Sequence, residues 1–203
     1  LRWFDDHGLR EIYVIGGDSK EPVGPYASAL ELLGAMSRLE HGVEEVGIGG
    51  YPEGHPLIDD KDLDRALVDK QPFASYVVTQ LCFDADTILG WMSGIRHKGI
   101  RLPVYVGLPG AVDRKKLLRV SLKVGVGDSV RFLRKQTGLV GMLLKPGGYS
   151  PDELVERLAP YAGDHHYDIV GLHLYTFNQV ESTAKWRQRM LGPQKTSGTV
   201  AAR

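Results

Sequence analysis

The sequence predicts an α/β protein built on a parallel sheet, and three observations predict it. Short apolar runs rich in β-branched and aromatic residues recur along the chain. Several lack any polar interruption, as strands covered on both faces do. Segments with apolar residues at helical spacing lie between them, so strand and helix alternate. A strand–helix–strand unit with its right-handed crossover makes neighbouring strands parallel. Two closures satisfy that pattern, an open doubly wound sheet and a (β/α)8 barrel. In both, chemistry gathers at the C-terminal ends of the strands.

Taken in order, the chain opens with "LRWFDDHGLR", which reads as the end of an amphipathic helix; Leu1 is not an initiator methionine, and we read the true N-terminus as missing. The first strand is "EIYVIGGD" (11–18). "SALELLGAMSRLE" (28–40) then sets Ala29, Leu32, Leu33, Met36 and Leu39 on one helical face. Strands follow at "VEEVGIGGY" (43–51) and "YVVTQLCFD" (76–84). "TILGWMSGIRHKG" (87–99) is a helix with Ile88, Trp91, Met92 and Ile95 inward and Gly99 as its C-cap. "PVYVGLPG" (103–110) is the fourth strand, and "RKKLLR" (114–119) reads as the solvated face of a helix. "SPDELVERLAP" (150–160) opens with a capping box, Ser150 to Glu153, with Pro151 in the first turn. The last strand is "DIVGLHLYTF" (168–177) and the last helix "VESTAKWRQRMLG" (180–192). No repeat or linker divides the chain, so residues 1–192 are expected to be one domain, with a frayed tail over 193–203.

Composition excludes several classes. The 203 residues suffice for one good core, and 42% hydrophobic with 25% charged residues is ordinary for a soluble protein. Lys+Arg and Asp+Glu each total 25, so overall charge points to neither nucleic acid nor an anionic membrane as a partner. No apolar run reaches membrane-span length and no signal peptide is visible. The one cysteine, Cys82, forms no internal disulfide, which fits a reducing compartment, and we expect a cytoplasmic protein. The sequence is compatible with a homo-oligomer and fixes no stoichiometry.

Polar residues stand repeatedly at strand ends. Asp18 follows two glycines in "VIGGD", where backbone can approach a ligand and a carboxylate can favour a cation; a plain turn explains it at least as well. Neither a dinucleotide fingerprint nor a P-loop is present. In "GYPEGHP" (50–56), Tyr51 and His55 can stack on and hydrogen-bond a planar ligand, though a rigid loop with a surface histidine fits equally. His55 has no second histidine at helical spacing, so no metal site is expected, and "DHHYD" (164–168) reads as a solvated loop. Gln80, ending a buried run, offers a heterocycle a donor and an acceptor without charge. Thr176, Asn178 and Gln179 repeat that arrangement after the last strand. Cys82 has no evident base, so a nucleophilic role is not expected.

The order "IGGD", "PYASAL", "GYPEGHP", "VVTQLCFDAD", "GLPGAV", "GLHLYTFNQ", from about Tyr13 to Gln179, resembles that of the methylenetetrahydrofolate reductase family. The resemblance implies a (β/α)8 TIM barrel, of which this chain would carry roughly the fourth to eighth strands. It implies reduction of 5,10-methylenetetrahydrofolate to 5-methyltetrahydrofolate in one-carbon metabolism, with hydride from NAD(P)H, through FAD or directly. By position, Asp18 matches an aspartate near flavin and pterin, and Gln80 a glutamine contacting pterin and nicotinamide. Tyr51 and His55 fall on flavin contacts, Ala27 on a backbone contact, and Lys70 on a lysine near the cofactor phosphates. Phe177 matches a position beside the folate, and Gln179 stands where an arginine often helps hold it. Gly16 replaces a common arginine, and Ala66 and Asp69 replace an amide and a basic residue that help hold FAD. The family's general acid, a glutamate after the first strand, has no counterpart in this sequence. Two rivals stay open: a non-catalytic folate- or partner-binding homologue, and a related methyl-transfer barrel.

Overall fold

The structure, a computed structural model, describes residues 1–17, 23–123 and 148–192. Asp18 and the expected tail, 193–203, lie outside the described residues. Among the described residues five strands form one sheet: β1 (Glu11–Val14), β2 (Glu45–Gly50), β3 (Tyr76–Thr79), β4 (Val104–Pro109) and β5 (Ile169–Tyr175). All pair in parallel, and their order across the sheet is their order in the chain. A doubly wound sheet reverses direction at a switch point. No reversal occurs among the described strands.

The helices are α1 (Arg2–Asp6), α2 (Ala29–Met36), α3 (Asp60–Lys70), α4 (Ala85–His97), α5 (Arg114–Lys123), α6 (Asp152–Leu158) and α7 (Val180–Leu191). Among the described residues none is long and apolar enough to cross a membrane.

Register sorts the two sheet faces. Val14, Ile48, Val77 and Val104 are paired neighbours across four strands, and all are buried. They pack in one core with Leu33, Ile88, Met92 and Ile95 from the helices. Each such side chain, fully buried, contributes roughly 1.5–3 kcal/mol of transfer free energy.

The opposite face is built differently. Tyrosines lie over glycines of adjacent strands, so rings fill the space where side chains would otherwise stand. A Cβ on Gly47 would come within 2.4 Å of the Tyr76 ring, one on Gly171 within 2.8 Å of Tyr105, and one on Gly107 within 2.9 Å of Tyr175. Tyr76 and Tyr105 meet edge to face with centroids 5.2 Å apart.

Two expectations need correcting. The apolar run from Tyr76 to Asp84 does not stay in the sheet, because β3 ends at Thr79. Asp84 instead caps α4, accepting from Thr87 N at 3.0 Å and Thr87 Oγ1 at 2.6 Å, so the chain turns toward a helix before the run is finished. The capping box at Ser150 and Glu153 does not form either. Ser150 Oγ donates to Asp152 Oδ2 at 2.7 Å, while the N-cap position falls on Pro151. A reciprocal cap forms at α2: Ser28 Oγ accepts from Glu31 N, and Glu31 Oε2 accepts from Ala27 N at 2.8 Å. The expected C-cap of α4 is present, with Gly99 at φ +84°. Ile100 N donates to Ile95 O and Gly99 N to Arg96 O, both at 3.0 Å, the paired bonds of a Schellman motif.

Candidate active site

A cavity of about 1320 Å³ opens at the C-terminal ends of β1, β2 and β3 and runs along α3. Pockets for one small ligand usually measure roughly 300–1,000 Å³. This one has room for more than one ring system.

"GYPEGHP" forms the wall after β2. Gly54 takes φ +75°, and Gly54 N donates to Tyr51 O at 3.1 Å, which closes a tight turn. The turn sets the Tyr51 and His55 rings edge to face, with centroids 5.3 Å apart. His55 Nδ1 accepts from Leu57 N at 3.2 Å, so in the neutral ring the proton sits on Nε2.

Gln80 stands at the end of β3. Its backbone N–H donates to Gly50 O at 2.7 Å, and its side-chain oxygen accepts from Leu81 N at 2.8 Å. That fixes the amide and leaves the NH2 end as the donor for a ligand. Thr79, one residue earlier, is fully buried; its hydroxyl accepts from Gly107 N and its carbonyl from Tyr175 Oη.

Ala27, Tyr51, His55, Lys70 and Gln80 therefore border one cavity. Asp18 lies outside the described residues, while Gly16 and Gly17, just before it, line the cavity. The Ala27 N–H is taken by Glu31, so any backbone contact there falls to its carbonyl. Phe177 reaches the cavity only through Tyr175, with which it stacks at 6.4 Å. Its other neighbours form a small separate core of Leu81, Phe83, Val112 and Leu117. Gln179 is elsewhere. It borders a smaller cavity of about 490 Å³ between the loops after β4 and β5, where its side-chain oxygen accepts from Asp113 N at 2.6 Å.

The wall also includes Tyr13, Trp91, Lys98 and Tyr175; in the sequence Trp91 reads as a core residue of its helix and Tyr175 as a polar residue at a strand end, while Tyr13 and Lys98 carry no signal. Burial, reinforced by the neighbouring phenols of Tyr175 and Tyr51, pushes the Tyr13 hydroxyl well above the ordinary phenol range. Burial, then Tyr51, pushes Tyr175 up to about 12. Burial lowers Lys70 from the usual ammonium value, and an anionic ligand beside it would oppose that shift. Cys82 is fully buried, with Sγ 3.5 Å from Asp84 O and 3.6 Å from Glu53 Oε1. Among the described residues no three of His, Cys, Asp and Glu stand close enough to hold a metal ion.

Residues 1–125 match the family model described as methylenetetrahydrofolate reductase, which is more than half of the chain. The chain belongs to the methylenetetrahydrofolate reductase family. Methylenetetrahydrofolate reductase 1 of Schizosaccharomyces pombe is 32% identical over 65 residues, 31% of this chain and 11% of the relative. Methylenetetrahydrofolate reductase 2 of Saccharomyces cerevisiae is 33% identical over 67 residues, with the same coverages of 31% and 11%. Methylenetetrahydrofolate reductase (NADH) 1 of Arabidopsis thaliana is 26% identical over 139 residues, 60% of this chain and 24% of the relative. The chain thus matches less than a quarter of the length of these methylenetetrahydrofolate reductases.

The walls fit a resident flavin dinucleotide poorly. Among the described residues lining the cavity, Glu53, Asp60, Asp64 and Asp84 face only two ammonium groups, Lys70 and Lys98. Lys98 is already paired with Asp64 at 2.5 Å. A diphosphate brings two further negative charges, and among the described residues of the wall Lys70 is the one lysine not paired with a carboxylate, a thin clamp for it.

Proposed function

We propose that the protein reduces 5,10-methylenetetrahydrofolate to 5-methyltetrahydrofolate with a hydride taken directly from NAD(P)H. The observation that carries this reading is the grouping of Tyr51, His55 and Gln80 around one cavity large enough for two flat ring systems. Membership of the family supplies the substrate class. On this reading the five strands are the fourth to eighth of a (β/α)8 barrel. Their sequential order and the exposed apolar residues of β5, Val170 and Leu172, support that placement.

The chemistry asks for two things of these residues. Opening the bridging methylene breaks its bond to one nitrogen, which takes up a proton from solvent, and gives an iminium cation, which a carboxylate favours electrostatically; Asp18, next in sequence after Gly17, takes that part. The nicotinamide and pterin rings must stack with their reacting carbons close, which walls of Tyr51, His55 and the Gln80 amide promote. Hydride then passes to the iminium carbon, and the nicotinamide leaves oxidised. The thin phosphate clamp is consistent with a dinucleotide that exchanges at every turnover. A resident cofactor needs a tighter one.

The intact protein as isolated should be colourless, without flavin absorbance. It should oxidise NADH or NADPH only when methylenetetrahydrofolate is present. A stoichiometric flavin spectrum refutes the direct route; absence of turnover with either nucleotide refutes the reductase reading.

A further inference from the structure

We infer that Tyr13 is a ligand-contacting residue of this cavity, its hydroxyl donating a hydrogen bond to a carbonyl or ring-nitrogen acceptor on a flat heterocyclic substrate. The inference rests on the reductase reading of the site and adds to it a residue from β1.

Tyr13 stands on the tyrosine-and-glycine face of the sheet, paired with Gly47, and lines the cavity. Two other phenols of that face are committed to protein. Tyr76 Oη donates to Glu11 Oε1 at 2.6 Å and Tyr175 Oη to Thr79 O at 3.0 Å. Tyr13 Oη makes no hydrogen bond with any described residue, and the residue is 42% exposed, toward the cavity. A half-buried hydroxyl without a protein partner forfeits part of its hydration unless a ligand or water supplies it.

Its surroundings are shaped for such a partner. Gly49 leaves a gap between the two phenols that border it. A Cβ there would lie 3.4 Å from Tyr13 Oη and 3.3 Å from Tyr51 Oη, so both hydroxyls meet over the one residue that has no side chain. Two phenols side by side at a cavity wall present a polar edge, and Gln80 on β3 borders the same space with its NH2 end. The raised Tyr13 value keeps the group protonated throughout the neutral range, as a donor must be.

The test is Tyr13→Phe in the intact protein, which removes one oxygen and keeps the ring. Calorimetric titration with NADH and with 5-methyltetrahydrofolate gives the dissociation constants, and steady-state kinetics gives KM and kcat. Loss of one hydrogen bond to a ligand predicts a rise of about fivefold to tenfold in the dissociation constant and KM of one of the two. The melting temperature should stay unchanged, because no protein contact of the hydroxyl is lost. The ligand that weakens is the one that Tyr13 touches. Equal affinities of wild type and variant for both ligands overturn the inference and leave the reductase reading standing. A wild type that binds neither ligand overturns both.

Discussion

Gln80 shows how one side chain is prepared for a ligand. Its backbone and its side-chain oxygen are both held, by Gly50 O and Leu81 N, so only the amide NH2 is left to work in the cavity. In Gln80→Leu that donor disappears and Leu81 N loses its acceptor. We expect KM for the folate and for NAD(P)H to rise about tenfold, with about 1 kcal/mol of stability lost. Steady-state kinetics and urea unfolding check the two parts; unchanged KM values would reduce the amide to a pin for its own loop. Tyr51, His55 and Gln80 were legible in the sequence because each is a polar or aromatic group closing an apolar run, where parallel sheets put their sites. Tyr13 was not. It reads as one more strand aromatic until pairing with Gly47, itself next to Tyr76, shows which face it occupies. Gln179 follows a strand in the same way, yet its oxygen is spent on Asp113 N at a neighbouring cavity.

Elements end where capping groups end them. The apolar run after Tyr76 carried no mark of its break at Thr79, since Leu81, Cys82 and Phe83 are as buried as the strand before them. The break follows from Asp84, which is 6% exposed, holds the first turn of α4 and lies 3.6 Å from an Arg157 nitrogen on α6. Arg157 also reaches Asp86 at 2.7 Å, so one guanidinium ties the start of α4 to α6. The other end of α4 is held by buried Arg96, which donates to the carbonyls of His166, Ile100, Leu102 and Tyr167. Its charge is solvated by backbone dipoles in place of water. Asp84→Ala should cost about 1–2 kcal/mol, the usual loss of a side-chain N-cap. Asp86→Ala, which removes only the exposed half of the ion pair, should cost less than about 0.5 kcal/mol. Urea midpoints of the two variants give the comparison, and equal losses would show that the cap is not what fixes α4.

Across the whole molecule the sheet separates an aliphatic core from a phenolic face. The alternation of strands and helices was legible in the sequence. The pairing of tyrosines with glycines was not, because it depends on register between segments far apart in the chain. That face has a consequence at high pH. Burial raises Tyr13, Tyr76 and Tyr175 of this face, and Tyr149 in the small core beside Phe83, above the ordinary phenol value, Tyr175 to about 12. Below roughly pH 10 these phenols are neutral whether the chain is folded or not, and their contribution is fully present. Above it the unfolded chain releases protons that the native state keeps, so stability falls as pH rises through the native values. Each fully sheltered phenol removes up to about 1.4 kcal/mol per pH unit once its unfolded form is ionised, and the part-exposed Tyr13 removes less because water screens it. Lys70 acts in the opposite sense, since its lowered native value adds stability as pH rises toward its unfolded value, but it is one group against four. Native stability should therefore collapse over a narrow span above pH 10. Tyrosinate absorbance at 295 nm and near-ultraviolet circular dichroism, followed together, report it: the sheltered phenols should ionise in the same step that abolishes the dichroism. A tyrosinate titration completed near pH 10 with the dichroism intact would mean that this face is open to water and the tyrosine layer is not packed as described.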